Sequence, residues 1–238
     1  MPVYKIADIN ILINPIYSYT ERDLAPYLCG EGDFEFDASA DAEAIAGLQQ
    51  PGEPFYPQIA EGAVINTKIC RKMLECYDGF FFHSSSLSID GEGYLFTAKS
   101  GTGKSTHTAL WRNLFGSKAV MINDDKPIVR KIDGRFYVFG TPWMGKSKIG
   151  TNTKAPVKAI YVLERGSENR VERVSPSKVF RELLEATLLP AEKENMGRLL
   201  QLYDELFSSV MLFRLSCRPD EEAARLAYAA ANENKKED

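Results

Sequence analysis

One stretch constrains this chain more than any other: Ala98-Lys99-Ser100-Gly101-Thr102-Gly103-Lys104-Ser105-Thr106, set between an apolar run, Tyr94-Leu95-Phe96, and a segment that reads as helix from Lys104 to Leu114 and stops at Gly116. Gly101 and Gly103 permit backbone angles that other residues resist, so successive N–H groups can turn inward on one anion. The helix start adds its partial positive charge at the same place. From there Lys104 can reach the β- and γ-phosphates, and the Ser105 hydroxyl can ligate magnesium. Ser100, Gly101, Thr102, Gly103, Lys104, Ser105 and Thr106 are thus the expected nucleotide-binding residues, with ATP and Mg2+ as the expected cofactors. Ala98 stands where the pattern has its first glycine, which is tolerable if that residue keeps strand-like angles.

A second element follows. Ala119 to Asn123 reads as a buried strand leading into Asn123-Asp124-Asp125-Lys126. A strand of small and apolar residues that ends in acids is where a metal-holding carboxylate belongs. Adjacent side chains on extended backbone point opposite ways, so one can face a metal and the other an acceptor hydroxyl as general base. Lys146 and Lys148 follow Gly145 in a loop and can neutralise charge on a transferring phosphate. Arg165 either contacts phosphate or pairs with Glu164. His107, one turn into the helix, is expected to be exposed or to act as a cap, and Trp111 and Trp143 are expected to pack.

Bulk properties exclude other classes. The 238 residues carry a net charge of −4 with both signs interspersed, so there is no basic excess of the kind a nucleic-acid partner requires. The longest apolar runs, such as Ala159 to Leu163, fall far short of the ~20 residues that span a bilayer. The start of the chain lacks the basic-then-apolar pattern of a secretion signal. Cys29, Cys70, Cys76 and Cys217 form no C-x-x-C pair and are expected as reduced, partly buried thiols of a cytoplasmic protein. The polar tail from Asn232 to Asp238 is expected to fray.

The remaining pattern mixes strand, helix and hairpin. Alternation from Val3 to Ile13 gives one or two strands, and Phe34 to Phe36 another. Asp41 to Leu48 and Ala63 to Tyr77 read as helices, separated by a proline-rich loop over residues 50–57. Asp90-Gly91 and Asp133-Gly134 are hairpin turns. The last third is mostly helical: one helix starts at Ser175-Pro176, one spans Lys193 to Phe207, and one opens at Pro219-Asp220-Glu221-Glu222, with a strand from Val210 to Leu215 before it. The expected fold is α/β with a sheet that is not purely parallel, divided into an N-terminal α/β subdomain over residues 1–79 and a nucleotide-binding domain over 80–238.

His83, the strand into Ser100-Gly101-Thr102-Gly103-Lys104-Ser105, and Asp124-Asp125 together resemble the catalytic core of HPr kinase/phosphorylase, itself similar to the nucleotide half of ATP-dependent phosphoenolpyruvate carboxykinase. Gly140-Thr141-Pro142-Trp143-Met144-Gly145-Lys146 looks like a signature of HPr-kinase-related proteins. The resemblance covers roughly residues 80–165. It implies a mixed-sheet P-loop core flanked by helices, Mg-ATP as donor, and a hydroxyl-bearing acceptor: a peptide serine or threonine, an amino acid or another small molecule. It also raises the expectation of a homo-oligomer. Carried onto matching positions, it makes Asp124 the base, Asp125 the metal-side carboxylate, and His83 a neighbour that tunes the base. Lys104 and Lys146 then stabilise the transferring phosphoryl group, with Arg165 at the nucleotide. Leu163-Glu164-Arg165-Gly166 keeps only a fragment of the segment with which HPr kinases handle their protein substrate. The carboxykinase's metal-binding lysine and histidine have no counterpart. A nucleotide-binding regulatory module and a carboxykinase-like lyase are the alternatives.

Overall fold

Three tight turns set up much of the strand framework. Asp90-Gly91 and Asp133-Gly134 both place two residues at positive φ, as does Ala7-Asp8. That geometry matches the twist of the strands it joins. In the computed structural model, which describes residues 1–233, the Ala7-Asp8 turn links β1 (Pro2–Ile6) to β2 (Ile9–Leu12). Residues 234–238, the end of the expected fraying tail, lie outside the described residues.

The N-terminal part continues with helix α1 (Ser18–Leu24), β3 (Leu28–Glu31), β4 (Phe36–Asp37), α2 (Ala42–Ala46) and α3 (Pro57–Cys76). Its four strands form a separate sheet in the order β3-β1-β2-β4. Asp41 caps α2 by accepting from the Ala44 N–H at 2.7 Å. Helix α3 starts six residues before the expected Ala63, because Pro57 occupies the first turn, where its missing N–H costs nothing. Phe34 stays outside the short β4 and is exposed.

The larger sheet holds β5 (Gly79–Phe81), β6 (Ser85–Ile89), β7 (Glu92–Thr97), β8 (Ala119–Asn123), β9 (Ile128–Ile132), β10 (Arg135–Phe139) and β11 (Lys154–Arg165) in the order β5-β9-β10-β11-β7-β6-β8. Helix α4 (Lys104–Phe115) lies between β7 and β8 in the chain. Strand β11 is long enough to take three partners. Its first residues pair antiparallel with β10, and the rest pairs parallel with β7 and with β13 (Met211–Cys217). That change of partner curls the sheet, which is mixed and flanked by helices. Edge strand β12 (Arg170–Arg173) pairs with β13 and was not expected, since three of its four residues are charged. The helix expected at Ser175-Pro176 is a short 3-10 turn over Pro176–Lys178, followed by α5 (Phe180–Glu185). Helices α6 (Lys193–Ser209) and α7 (Glu221–Ala230) complete the chain.

One apolar cluster joins both sheets to α3 and α6, from Ile11 and Ile65 through Phe80 and Ile128 to Leu199. A second lies under α4 and α7 and holds Tyr94, Phe96, Trp111, Tyr161 and Ala227. Among the four cysteines, Cys70 is buried and Cys217 half-buried, whereas Cys29 and Cys76 are exposed rather than partly buried. No helix among the described residues is long and apolar enough to cross a membrane.

Candidate active site

Strand directions bring the sequence elements together. β7 and β11 run parallel, and β8, antiparallel to β6, runs the same way as β7. The C-terminal ends of β7, β8 and β11 and the N-terminal end of β6 therefore share one edge. That edge presents the loop after Thr97, the Asp124-Asp125 pair, Arg165, and His83 with Ser85. Ligands of open α/β sheets sit at such strand ends.

The loop takes backbone angles that only glycine adopts freely. Gly101 and Gly103 have φ of 76° and 121°, angles that disfavour any side chain. A Cβ at Gly101 would meet nothing within 4 Å, so the space beside this residue is open. Ala98 follows the last residue of β7 and is not among the positive-φ residues. Lys104 is 9% exposed and donates to the Ala98 carbonyl at 3.1 Å. Burial pushes its pKa down, while Asp125 and Asp124 pull it back up. Lys104 therefore lies within electrostatic reach of both carboxylates.

The two aspartates have different surroundings. Asn123 is fully buried, and its Oδ1 accepts from the N–H groups of Asp125 and Lys126, both at 2.8 Å. This turns the chain at the end of β8 and sends the two side chains apart. Asp124 Oδ1 accepts from the Ser85 hydroxyl at 2.5 Å. Asp125 bonds Lys126 Nζ at 2.6 Å and lies 3.2 Å from His83 Nε2. Burial raises the Asp125 pKa, but His83 and Lys126 outweigh it and hold the carboxyl at about 2. His83, expected beside Asp124, touches Asp125 instead, and Ser85 takes the contact with Asp124.

The Gly140-to-Gly145 signature braces this turn. Thr141 donates its hydroxyl to the Lys126 carbonyl at 2.6 Å and accepts from Asn123 Nδ2 at 3.1 Å. A Cβ at Gly145 would come within 2.9 Å of Asp125 Cβ, and one at Gly140 within 2.0 Å of the Thr151 carbonyl. Both glycines are required for close approach. Lys146 follows on the exposed side of the loop, with no ion-pair partner among the described residues. Lys148 turns away, bonding Asp23 at 2.5 Å and lying over the Tyr19 ring.

Arg165 does not pair with Glu164. Val162 pairs with Thr97, so Arg165 stands level with the loop, and its guanidinium donates to the Gly101 carbonyl at 2.6 Å and the Thr102 carbonyl at 3.5 Å. Glu164 pairs with Arg214. A cavity of about 810 Å³ opens on this side of the loop, lined by His83, Ser100, Arg165, Arg181, Glu182 and Arg214. A second recess of about 520 Å³ lies past Thr106, between Leu110, Cys217 and Pro219. His107, expected to be exposed or to cap, is 3% exposed, and its Nε2 accepts from Trp111 Nε1 at 3.0 Å.

Ser85 and Thr108 were not singled out from the sequence, and Asn123, Lys126 and Thr141 stood there only inside motifs with no role assigned. Asn123 had a signal in its place before two aspartates at a strand end. The hydroxyls had none, because their role depends on which strands neighbour one another.

No protein-family model matches the chain, and no curated protein matches it. Among solved structures it is similar to the Hpr(Ser) kinase/phosphatase from Coxiella burnetii, at 11% identity and a TM-score of 0.35, over 66% of this chain and 97% of that one. A likeness of that size adds no argument to the geometry.

Proposed function

We propose that this protein is an ATP- and magnesium-dependent kinase that transfers the γ-phosphoryl group to a hydroxyl on a peptide or small molecule. The observation that carries it is the placement of the glycine loop, with Gly101 and Gly103 at positive φ and a nearly buried Lys104 bonded to the Ala98 carbonyl, on the same sheet edge as the Asp124-Asp125 pair at the end of β8. A polyphosphate fits there: the loop is open at Gly101, the helix N-terminus faces it, and a buried ammonium adjoins it. No cluster of three or more His, Cys, Asp or Glu occurs among the described residues. Magnesium needs none, since it is commonly held by one or two carboxylates together with substrate phosphates. Ser105 and Asp125 are the candidate ligands, and the low pKa of Asp125 favours an ionised, cation-binding role over proton uptake.

Mg-ATP supplies the phosphoryl group when bound; the chain's residues position and neutralise. Asp124 takes the proton of the acceptor hydroxyl as its oxygen attacks the γ-phosphorus and the bond to the β-phosphate bridge breaks. Lys104 and Lys146 offset charge on the transferring group. Arg165 holds the loop through its carbonyls, and His83, at the cavity wall, keeps Asp125 oriented. Residues 1–79 form a supporting subdomain whose Asp23 anchors Lys148. Four free thiols suit a reducing, cytoplasmic setting.

The test is transfer of labelled γ-phosphate from ATP to a panel of hydroxyl-bearing metabolites and peptides, read by mass spectrometry. Transfer is expected with wild type and lost in Asp124→Asn, which still binds Mg-ATP. Binding without transfer to any acceptor or to water would leave a regulatory nucleotide-binding module, and substrate-dependent release of carbon dioxide a lyase.

A further inference from the structure

Asp124 is held by a side chain that is itself held. The Ser85 hydroxyl lies 2.5 Å from Asp124 Oδ1 and 2.8 Å from Thr108 Oγ1. Ser85 is fully buried and Thr108 is 1% exposed. We infer that Ser85 and Thr108 form a two-hydroxyl chain that positions the Asp124 carboxylate for proton transfer. This rests on the kinase reading above and adds two positioning residues to it.

Proton counting gives the chain a direction. An ionised carboxylate only accepts, so the single Ser85 proton goes to Asp124. Ser85 Oγ is then an acceptor, and Thr108 fills it with its own proton. The backbone alternatives for Thr108, the Ser105 carbonyl at 3.2 Å and the Lys104 carbonyl at 3.4 Å, are longer than its contact with Ser85. The order is therefore Thr108 to Ser85 to Asp124, and a hydrogen bond that ends on a charge is the strong kind.

The placement of the two residues explains what the chain accomplishes. Thr108 is one turn along α4 from Lys104 and Ser105, the residues assigned to the phosphates and metal. Ser85 sits in β6, opposite Phe96 of β7, while its neighbour Ser86 pairs with Asn123 of β8. Ser85 thus lies between the strand that leads into the glycine loop and the strand that leads into Asp124. The hydroxyl chain ties the carboxylate to the helix that grips the nucleotide, so the base and the phosphate site keep one spacing. A misplacement of about 1 Å can cost on the order of 100-fold in rate, and a tether of two short hydroxyls prevents it.

The test uses the full chain, with water as the acceptor so that no unidentified substrate is needed. Mg-ATP hydrolysis and Mg-ATP affinity are measured for wild type, Ser85→Ala, Thr108→Val and Thr108→Ser. Thr108→Val keeps the shape and removes the hydroxyl; Thr108→Ser returns it. In parallel, carboxyl-labelled aspartate reports Asp124 by carbon-13 NMR, assigned with Asp124→Asn. We expect kcat to fall about tenfold in Ser85→Ala and Thr108→Val with KM unchanged, and to return in Thr108→Ser. The Asp124 signal should move in the first two and recover in the third. An unmoved Asp124 signal overturns the hydroxyl chain whatever the turnover. A displaced signal with unchanged kcat overturns its positioning role. Wild type that neither binds nor hydrolyses Mg-ATP fails the kinase reading itself, while the NMR signal still reports whether the chain holds Asp124.

Discussion

Helix α4 has two faces, and they treat charge in opposite ways. The face toward the loop and β6 carries Lys104, Ser105 and Thr108. It keeps a nearly buried ammonium, with burial working against the charge on Lys104 and the Asp125 and Asp124 charges favouring it. The face toward the second core carries His107 and Trp111, packed with Tyr94, Phe96 and Tyr228 at centroid separations of 4.8 to 5.8 Å. There burial drives the His107 pKa down to about 4, so the ring is neutral and serves as an acceptor for the Trp111 N–H. One face keeps a charge at an electrostatic cost, as the proposed polyphosphate site would require, and the other gives up a charge to anchor the helix. Substitutions on the two faces should therefore separate stability from ligand binding.

The largest effect belongs to the anchoring face. Trp111 is fully buried, and Trp111→Ala should lower stability by about 3–5 kcal/mol through lost burial and the cavity left behind. Chemical denaturation measures this. At temperatures where the variant stays folded, its Kd for Mg-ATP should match wild type. A Kd that changes along with stability would show that the two faces are not independent.

Next comes pH. The folded pKa of His107, about 4, lies below its ordinary value of 6.5. Between those values the unfolded chain takes up a proton that the folded chain refuses. Stability is therefore full above about pH 6.5 and declines as pH falls toward 4, by about 3 kcal/mol in total. Asp125 acts in a lower window: its depressed pKa contributes stability that is lost only as pH falls from 3.8 toward about 2. Thermal melts from pH 7 to 4 should show the His107 limb, and His107→Gln, which keeps an acceptor without titrating in this range, should flatten it.

The same two faces show what the sequence could and could not reveal. The glycine loop, its flanking strand and helix, and the aspartate pair are local signals, since the turn chemistry, the helix start and the strand end all lie within a few residues of one another. The hairpins at Asp90-Gly91 and Asp133-Gly134 were legible for the same reason. Strand order was not legible. Ser85 lies 39 residues from Asp124 in the chain, and nothing near either one announces that β6 sits between β7 and β8. His107 misled because a histidine in the first turns of a helix is as compatible with solvent as with a core; only the ring of aromatics brought in from β7 and α7 decides it. The Arg165 bonds were not legible either, because they go to carbonyls of a loop on the neighbouring strand.

On the ligand face, Lys104→Met should weaken Mg-ATP binding about 10- to 100-fold, the range of a charge-assisted hydrogen bond. Its melting temperature should hold or rise, since burial already disfavours the ammonium. That is the reverse of Trp111→Ala, and calorimetry with a thermal scan distinguishes the two.

The smallest effect comes from Arg165, and it tests whether the loop is preorganised or merely present. The guanidinium is exposed, yet it donates to the Gly101 carbonyl at 2.6 Å. Arg165→Ala removes the hydrogen bonds but no N–H of the loop, so Kd for Mg-ATP should rise only about 2- to 10-fold, the worth of an ordinary hydrogen bond. Arg165→Lys keeps the charge but not the fork that reaches two carbonyls. If the role is to brace the loop, Lys should behave like Ala; if the charge itself meets phosphate, Lys should recover most of the affinity. Titration calorimetry on the three proteins decides between a scaffold residue and a ligand contact.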